Sequence, residues 1–406
     1  IDANAPTAGI TYSLAHNVKA DDILTLTATF NEALKDSPVV KIALSGANTV
    51  LATPMEKNTT TEYKYTYLVA SGDGTVNVTL SVGQDIAGNV VIPTPTSGAT
   101  FTVDNTAPLT PTITTSARTL NADSITITGT AEANSTITIT GGSSSATGTA
   151  DGDGSYSVSV SLTQNAVNTL SVTATDAAGN VSSAATVAIT EDSTAPGSPT
   201  INSVTTPTRT SPQTISGTKD ANTSVWLNGA QIIPIDDSTS WTYNMTLTEG
   251  VNSISITTKD SAGNESVAVT SSITYDTTPP AISSVSIPAG TYKIGSVITA
   301  TITADAAGYR AGAITINGVS VINFTDKSNG IYTVEYTVAS GDTDRASVGN
   351  IPISVVLTDA AGNSNAAYTN APTSDGSVTI DANAPVISGV SIPAGTYKIG
   401  SVITAT

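Results

Sequence analysis

Along most of the chain, apolar residues alternate with Ser or Thr. Ile125 and Ile127, Ile137 and Ile139, then Tyr156, Val158, Val160 and Leu162, and finally Leu170 and Val172 keep a period of two. Successive side chains of a strand point to opposite faces, so this period marks strands with one buried face, and the Gly, Asn and Asp between runs mark turns. The pattern predicts seven strands in this stretch, near 111–116, 124–130, 135–140, 145–150, 155–162, 167–175 and 181–190. No segment keeps a helical period over a useful length.

The alternation is itself repeated. A phrase D-x-x-x-P begins at Asp2, Asp104, Asp192, Asp276 and Asp381, at spacings of 102, 88, 84 and 105 residues. A second phrase, D-x-A-G-N, begins at Asp85, Asp176, Asp260 and Asp359, each 16 to 22 residues before the next D-x-x-x-P. A fixed long period is the signature of tandem structural units. The expected units are 1–103, 104–191, 192–275 and 276–380, with 381–406 the start of a fifth. The second and third match each other, GTAEANSTITIT at 129–140 against GTKDANTSVWLN at 217–228, while the first and fourth share VASGD. Residues 391–406 repeat 286–301 letter for letter, so the chain reads as a window on a longer array. Seven one-faced strands in 84–105 residues fit an Ig-like sandwich. The expected fold class is therefore all-β, a tandem array of Ig-like seven-stranded β-sandwiches. Four of them in line would extend about 150 Å at ~3.3 Å per strand residue.

Composition narrows the function. Lys and Arg number 14 against 32 Asp and Glu, a formal charge of −18, which disfavours phosphate backbones and anionic membrane surfaces as partners. With 39% hydrophobic residues the chain has material for cores. There is no Cys, so disulfides, thiolate metal sites and thiol nucleophiles are excluded, and the single His16 leaves no His cluster or triad. No G-x-S-x-G elbow is present, and the aspartates recur once per repeat, as structural devices do. The expectation is a protein that is not an enzyme. No apolar run approaches the ~18 residues that span a bilayer, and no signal-peptide pattern opens the sequence.

Topology places the two phrases in space. In a seven-strand sandwich the last hairpin loop lies at the end where the chain comes in. D-x-A-G-N should then sit beside the D-x-x-x-P linker leading into its own unit, pairing Asp2 with Asp85, Asp104 with Asp176, Asp192 with Asp260 and Asp276 with Asp359. Asp73 would approach Asp104 from the preceding unit, and Asp342 with Asp344 would face Asp381. Converging carboxylates and carbonyls are hard-oxygen chemistry suited to Ca²⁺, which takes 6–8 oxygens. The alternative stays open: D-x-A-G-N is also a good tight turn, its Asp bonding backbone N–H groups and its Gly and Asn tolerating positive φ. Asp151 and Asp153 in DGDG fit a hairpin turn.

Two further readings concern aromatics. Trp241 aligns with Tyr156 on an inward phase and is expected in the core. Trp226 aligns with Thr138 between inward Val225 and Leu227, so alternation sends it to the solvent face, as a contact for a ligand or as an edge residue covering its own sheet. Tyr292 and Tyr397 hold equal places in two units, which favours packing. His16 is expected in a solvated loop.

The sequences TADGDGSYSVSV at 149–160, TATDAAGN at 173–180 and DSTAP at 192–196 resemble bacterial Ig-like domains. The resemblance implies the stalk of a giant repetitive cell-surface adhesin or biofilm-associated protein, or an S-layer-type protein. It implies an extracellular, cell-surface location and Ca²⁺ stiffening of the linkers. Partners would be further repeats of the same chain. The alternatives are self-assembly with like subunits into an S-layer, sheath or filament, and a module binding surface glycan or protein. No nucleic acid and no membrane insertion are expected.

Overall fold

A computed structural model describes residues 2–406, apart from the side chain of Ile322. The chain divides into two compact units, one running to Pro196 and taking in Lys259–Glu265, the other comprising Gly197–Thr258 and Ser266–Thr406. Both are all-β. Among the described residues the single helical segment is a 3₁₀ turn at Val348–Asn350.

The first unit opens with eight strands: β1 (Ala8–Tyr12), β2 (Ile23–Phe30), β3 (Lys41–Gly46), β4 (Val50–Pro54), β5 (Glu56–Lys57), β6 (Glu62–Leu68), β7 (Gly74–Ser81) and β8 (Thr100–Val103). They form two sheets, ordered β1-β2-β6-β5 and β4-β3-β7-β8. The period-two pattern explains the pairing of faces. Leu24, Leu26 and Ala28 of β2 and Val76, Val78 and Leu80 of β7 are all 2% exposed or less, and the residues between them face outward or lie at the margin. Eight more strands follow: β9 (Thr112–Ile113), β10 (Arg118–Leu120), β11 (Ser124–Thr130), β12 (Thr136–Thr140), β13 (Ala146–Thr149), β14 (Ser155–Ser161), β15 (Ala166–Thr175) and β16 (Ala185–Glu191). Their sheets are ordered β14-β11-β9 and β10-β16-β15-β12-β13, with a separate core built on Ile127, Ile137, Ile139, Leu170 and Val172.

The second unit repeats this plan. β17 (Gln213–Thr218), β18 (Thr223–Leu227), β19 (Ala230–Asp236), β20 (Ser240–Met245), β21 (Gly250–Lys259) and β22 (Val269–Tyr275) form sheets β17-β20 and β19-β18-β21-β22. Then come β23 (Ile282–Ser286), β24 (Gly290–Lys293), β25 (Val297–Ala304), β26 (Arg310–Ile316), β27 (Val319–Ser320), β28 (Ile322–Asp326), β29 (Ile331–Thr337), β30 (Ile353–Thr358) and β31 (Val378–Asp381). Their orders are β23-β25-β29-β28, β24-β31 and β27-β26-β30. Each of the four hydrophobic clusters draws its buried residues from one stretch of sequence: 8–103, 125–189, 215–273 or 285–382. Paired antiparallel sheets around a core of alternating residues are the Ig-like sandwich.

One feature differs from the sequence expectation. The predicted strand at 111–116 reduces to β9, which pairs antiparallel with β11, and just beyond it an unpredicted strand, β10, crosses to pair parallel with β16. The same crossing appears as the parallel bridges Val18–Val103 and Thr208–Tyr275 and as the parallel pair β24–β31. The crossing places the end of this switching strand beside the linker, where Asp104, Asp192 and Asp276 donate their N–H groups to Val18, Leu120 and Thr208 at 2.8–3.0 Å.

Beyond β31 the tail carries no named strand, but Ser391 and Thr406 exchange both backbone hydrogen bonds. In the identical segment their counterparts are Ser286 and Thr301, partners in the β23–β25 pairing.

An aromatic residue is second in β6, β14, β20 and β29: Tyr63, Tyr156, Trp241 and Tyr332, all 3% exposed or less. Trp241 is in the core as its alignment implied. Opposite Tyr156 and Trp241 stand Gly129 and Gly217. A Cβ on Gly217 would lie 1.8 Å from the Thr200 carbonyl oxygen and 2.9 Å from Trp241 Nε1, so only glycine lets these elements close. Overpacking of this kind costs about 1–3 kcal/mol. Gly217→Ala should therefore lower the urea midpoint of the 197–275 stretch by a corresponding amount. Tryptophan fluorescence reads that stretch selectively, because both tryptophans of the chain, Trp226 and Trp241, lie in it; an unshifted midpoint would contradict the packing argument.

Candidate functional site

Each D-x-A-G-N phrase forms the loop after the long strand that precedes the last one, as at β7–β8 and β15–β16. The Asp closes its own loop. Asp85 Oδ1 accepts the N–H groups of Gly88 and Asn89, Asp176 Oδ1 those of Ala178 and Asn180, Asp260 Oδ1 those of Ala262 and Asn264, and Asp359 Oδ1 that of Asn363. The fourth residue takes a positive φ at every copy, 101° at Gly88, 84° at Gly179, 91° at Gly263 and 92° at Gly362, which requires glycine.

The motif's last residue is the one that reaches outward. Asn89, Asn180, Asn264 and Asn363 each give one amide hydrogen to Oδ2 of the loop Asp, at 2.7–2.9 Å. Each gives the other to a linker carbonyl: Asp2 at 3.2 Å, Asp104 at 2.9 Å, Asp192 at 2.8 Å and Asp276 at 2.7 Å. The linker Asp and loop Asp are thus brought to one place at each copy, joined through an asparagine that the carboxylate-based reading left without a role. The linker carboxylates turn inward. Oδ1 of Asp2, Asp104, Asp192, Asp276 and Asp381 accepts the N–H two residues on.

The preceding side of each linker is held by an oxygen acceptor whose identity changes. Asp73 Oδ1 accepts the Asn105 N–H, and Asn105 also donates through Nδ2 to the Gly72 carbonyl and accepts from the Ala20 N–H. Asn165 Oδ1 accepts from Ser193 and Thr194, and Glu249 from Thr277. Asp344 accepts from the Ala382 N–H and Asn383 Nδ2. Asp342 turns back into its own loop, accepting from Tyr336 and the Ala339 N–H. Sequence reading missed Asn105, Asn165 and Glu249 because no shared letter marks them.

Three carboxyl groups converge at one place. Oxygens of Asp2, Glu32 and Asp85 lie within 4.8 Å of one another, and this is the one such group among the described residues. Glu32, from the loop after β2, was not singled out by the repeat. Desolvation, then the charges of Asp2 and Asp85, push its carboxyl above the usual range. Asp85 goes the other way: burial opposes its charge, but donors on Asn89, Gly88 and Ala87 outweigh it and hold the carboxyl below the usual range.

The remaining candidates are local. Asp153 accepts the Ser155 N–H and hydroxyl, as a hairpin turn requires. His16 is exposed. Trp226 is half-buried rather than solvent-facing, and its indole N–H donates to Ser224 Oγ two residues back on the same strand, laying the ring along its own sheet.

Comparison with known proteins bears on the fold. Residues 107–191 match the family model of the bacterial Ig domain. No curated protein matches the chain. Among solved structures, it resembles a Ca²⁺-stabilized adhesin that helps an Antarctic bacterium reach out and bind ice, with 23% identity over 92% of this chain and 100% of that one and a TM-score of 0.36. It also resembles a 1.5-MDa bacterial ice-binding adhesin (22%, 67% and 99%, 0.30) and the ICAM-5 D1–D4 ectodomain fragment (12%, 91% and 100%, 0.30). Among the described residues no helix is long and apolar enough to cross a membrane.

Two outcomes follow for the loops. Asp85 is held ionised below the ordinary aspartate value of about 3.9, so its contribution to stability is present above that pH and lost as pH falls through its lower folded value. A carboxyl ¹³C titration should show it protonating after the exposed aspartates. Asn363→Ala leaves the Asp276 carbonyl and Asp359 Oδ2 each short of a donor in a buried loop, a loss of about 1–3 kcal/mol. Amide exchange at Asp359 and Asn363 should accelerate about ten-fold or more; unchanged protection would remove asparagine from its bridging role.

Proposed function

We propose that the chain is a section of the extracellular stalk of a bacterial cell-surface adhesin, not an enzyme, in which Ig-like sandwiches at 1–103, 104–191, 192–275 and 276–380 follow one another in series and 381–406 begins the next. The observation that carries the reading is the recurrence of one joint device. At every D-x-A-G-N copy an asparagine ties a loop carboxylate to a linker carbonyl. A catalytic or ligand-binding centre needs a single elaborated site, whereas a spacer needs the same mechanical part at each repeat. The 14 cations against 32 anions suit an exterior location, where a soluble, self-repelling surface resists association.

Ca²⁺ fits this stalk at Asp2, Glu32 and Asp85. Three carboxylates from the linker, the β2–β3 loop and the D-I-A-G-N loop supply hard oxygen donors; Glu32 is raised first by desolvation and then by the charges of Asp2 and Asp85, and a divalent cation would relieve that repulsion. N–H donors meet the loop carboxylate at every copy, so it is the third carboxyl, Glu32, that sets this place apart; at the other copies the aspartates act as turn and joint formers.

Small-angle scattering tests the stalk: a monomer with a maximum dimension near about 150 Å, from ~10-residue strands at 3.3 Å per residue plus loops, supports it. A compact particle or an ordered assembly sinks it. Calorimetric titration with CaCl₂ tests the ion: one class of site is expected, abolished by Glu32→Gln. In chelator at pH 7, Glu32→Gln should raise the melting temperature. The Glu32 contribution is fully present only below the ordinary glutamate value of about 4.3 and is lost as pH rises through its raised folded value. Ca²⁺ binding unaffected by the substitution would place the ion elsewhere.

A further inference from the structure

We infer that the residue following the switching strand is the lock of each joint, and that Lys19 locks the joint before the second repeat as a cation built into the chain. The parallel pairings align four positions. Val18 opposes Val103, Leu120 opposes Glu191, Thr208 opposes Tyr275 and Tyr292 opposes Ile380. The next residue in each case lies level with the linker Asp. These residues are Lys19, Asn121, Arg209 and Lys293.

Lys19 shows what the position does. Its backbone is fixed by a tight turn, with its N–H on Asp22 Oδ2, its carbonyl accepting from the Asp22 N–H, and Asp21 at φ 72°. From there the ammonium crosses the joint and donates to the Gly179 carbonyl at 2.5 Å, inside the D-A-A-G-N loop whose Asn180 holds Asp104. A Cβ on Gly179 would meet Lys19 Nζ at 3.3 Å, so the loop's glycine also admits the lysine. Arg209 stands against the equivalent Gly362, its Nε 3.8 Å from the corresponding Cβ position. Asn121 is the neutral version: its Nδ2 donates to Asn264 Oδ1 at 2.6 Å, and nothing lies within 4 Å of a Cβ on Gly263. A charged donor makes the stronger hydrogen bond and also faces a loop built around an aspartate. Its attraction is weakened by salt, since the screening length falls from about 10 Å at 0.1 M to about 3 Å at 1 M.

This inference rests on the sandwiches standing in series but not on Ca²⁺ at Asp2, and a chelator arm separates the two. The chain has no Cys, so nitroxides on Leu51→Cys and Val167→Cys, at positions 84% and 65% exposed, report across the joint in the full protein. With EDTA at low salt, Lys19→Met should broaden the distance distribution about two-fold, Lys19→Gln should fall between, and Lys19→Arg should keep the parent width. The parent in 1 M NaCl should approach the Met variant. Circular dichroism and melting should stay unchanged, because the ammonium lies at the end of its sandwich. A Met variant that overlays the parent overturns the lock. So does a parent that EDTA alone broadens to the Met width, since that would assign the joint to a bound metal.

Discussion

The structure depends on satisfying polar groups where strands end. A sandwich of this size buries its apolar faces readily, but its end loops bring backbone N–H and C=O groups together with carboxylates, and an unpaired buried polar group costs about 1–3 kcal/mol. One asparagine amide at each copy closes that account in two directions. Inward, it completes the shell of an aspartate already held by loop N–H groups; outward, it takes up the linker carbonyl. Loop and linker are then ordered together, because neither acceptor is satisfied without the other's position being set.

The same constraint explains which letters repeat and which vary. The loop side must supply a carboxylate, a positive-φ residue and a two-hydrogen amide in fixed order, and only Asp, Gly and Asn do so at that length. The other side of the linker must supply one oxygen acceptor to the N–H groups just after the linker Asp. Asp73, Asn165, Glu249 and Asp344 all meet that need from loops of different length. Conformation and hydrogen-bond role are held at the first site, hydrogen-bond role alone at the second.

Much of the fold was legible. Strands near 124–130, 155–162 and 167–175 appear as β11, β14 and β15 to within a residue at each end, because alternation over seven or more positions is a strong signal. The switching strand was not. Residues 114–119 read as Thr-Thr-Ser-Ala-Arg-Thr, with no apolar beat, and β10 gains its register from a parallel partner some seventy residues on. Period two assigned Trp226 a face but not the lie of its large ring; of the two expected readings the residue takes the one that covers its own sheet, with the indole N–H on the Ser224 hydroxyl. At the joints, the spacing of aspartates put the right segments together, yet charge drew the reading to carboxylates when neutral amides make the connection. Glu32 escaped because it lies outside both repeated phrases.

Net charge sharpens that last point. A chain at −18 has too few cations to pair its acids, so its carboxylates must be stabilised mainly by N–H and O–H donors, and wherever donors run short either a cation or a strained ionisation results. The few lysines and arginines are therefore informative by position. Lys219 is wholly buried, held by Asp236 and by the carbonyls of Thr223 and Asp236, at a place where the closely matching second repeat has Ala131. Lys19 meets a loop carbonyl across a joint. At Asp2, Glu32 and Asp85 three carboxyl groups meet, with Lys35 Nζ standing 3.6 Å from the Cβ position of the loop's Gly88, and Glu32 is pushed above the usual range first by desolvation and then by the charges of Asp2 and Asp85. In a protein this acidic, placement of scarce positive charge, more than the abundance of negative charge, distinguishes one joint from the next.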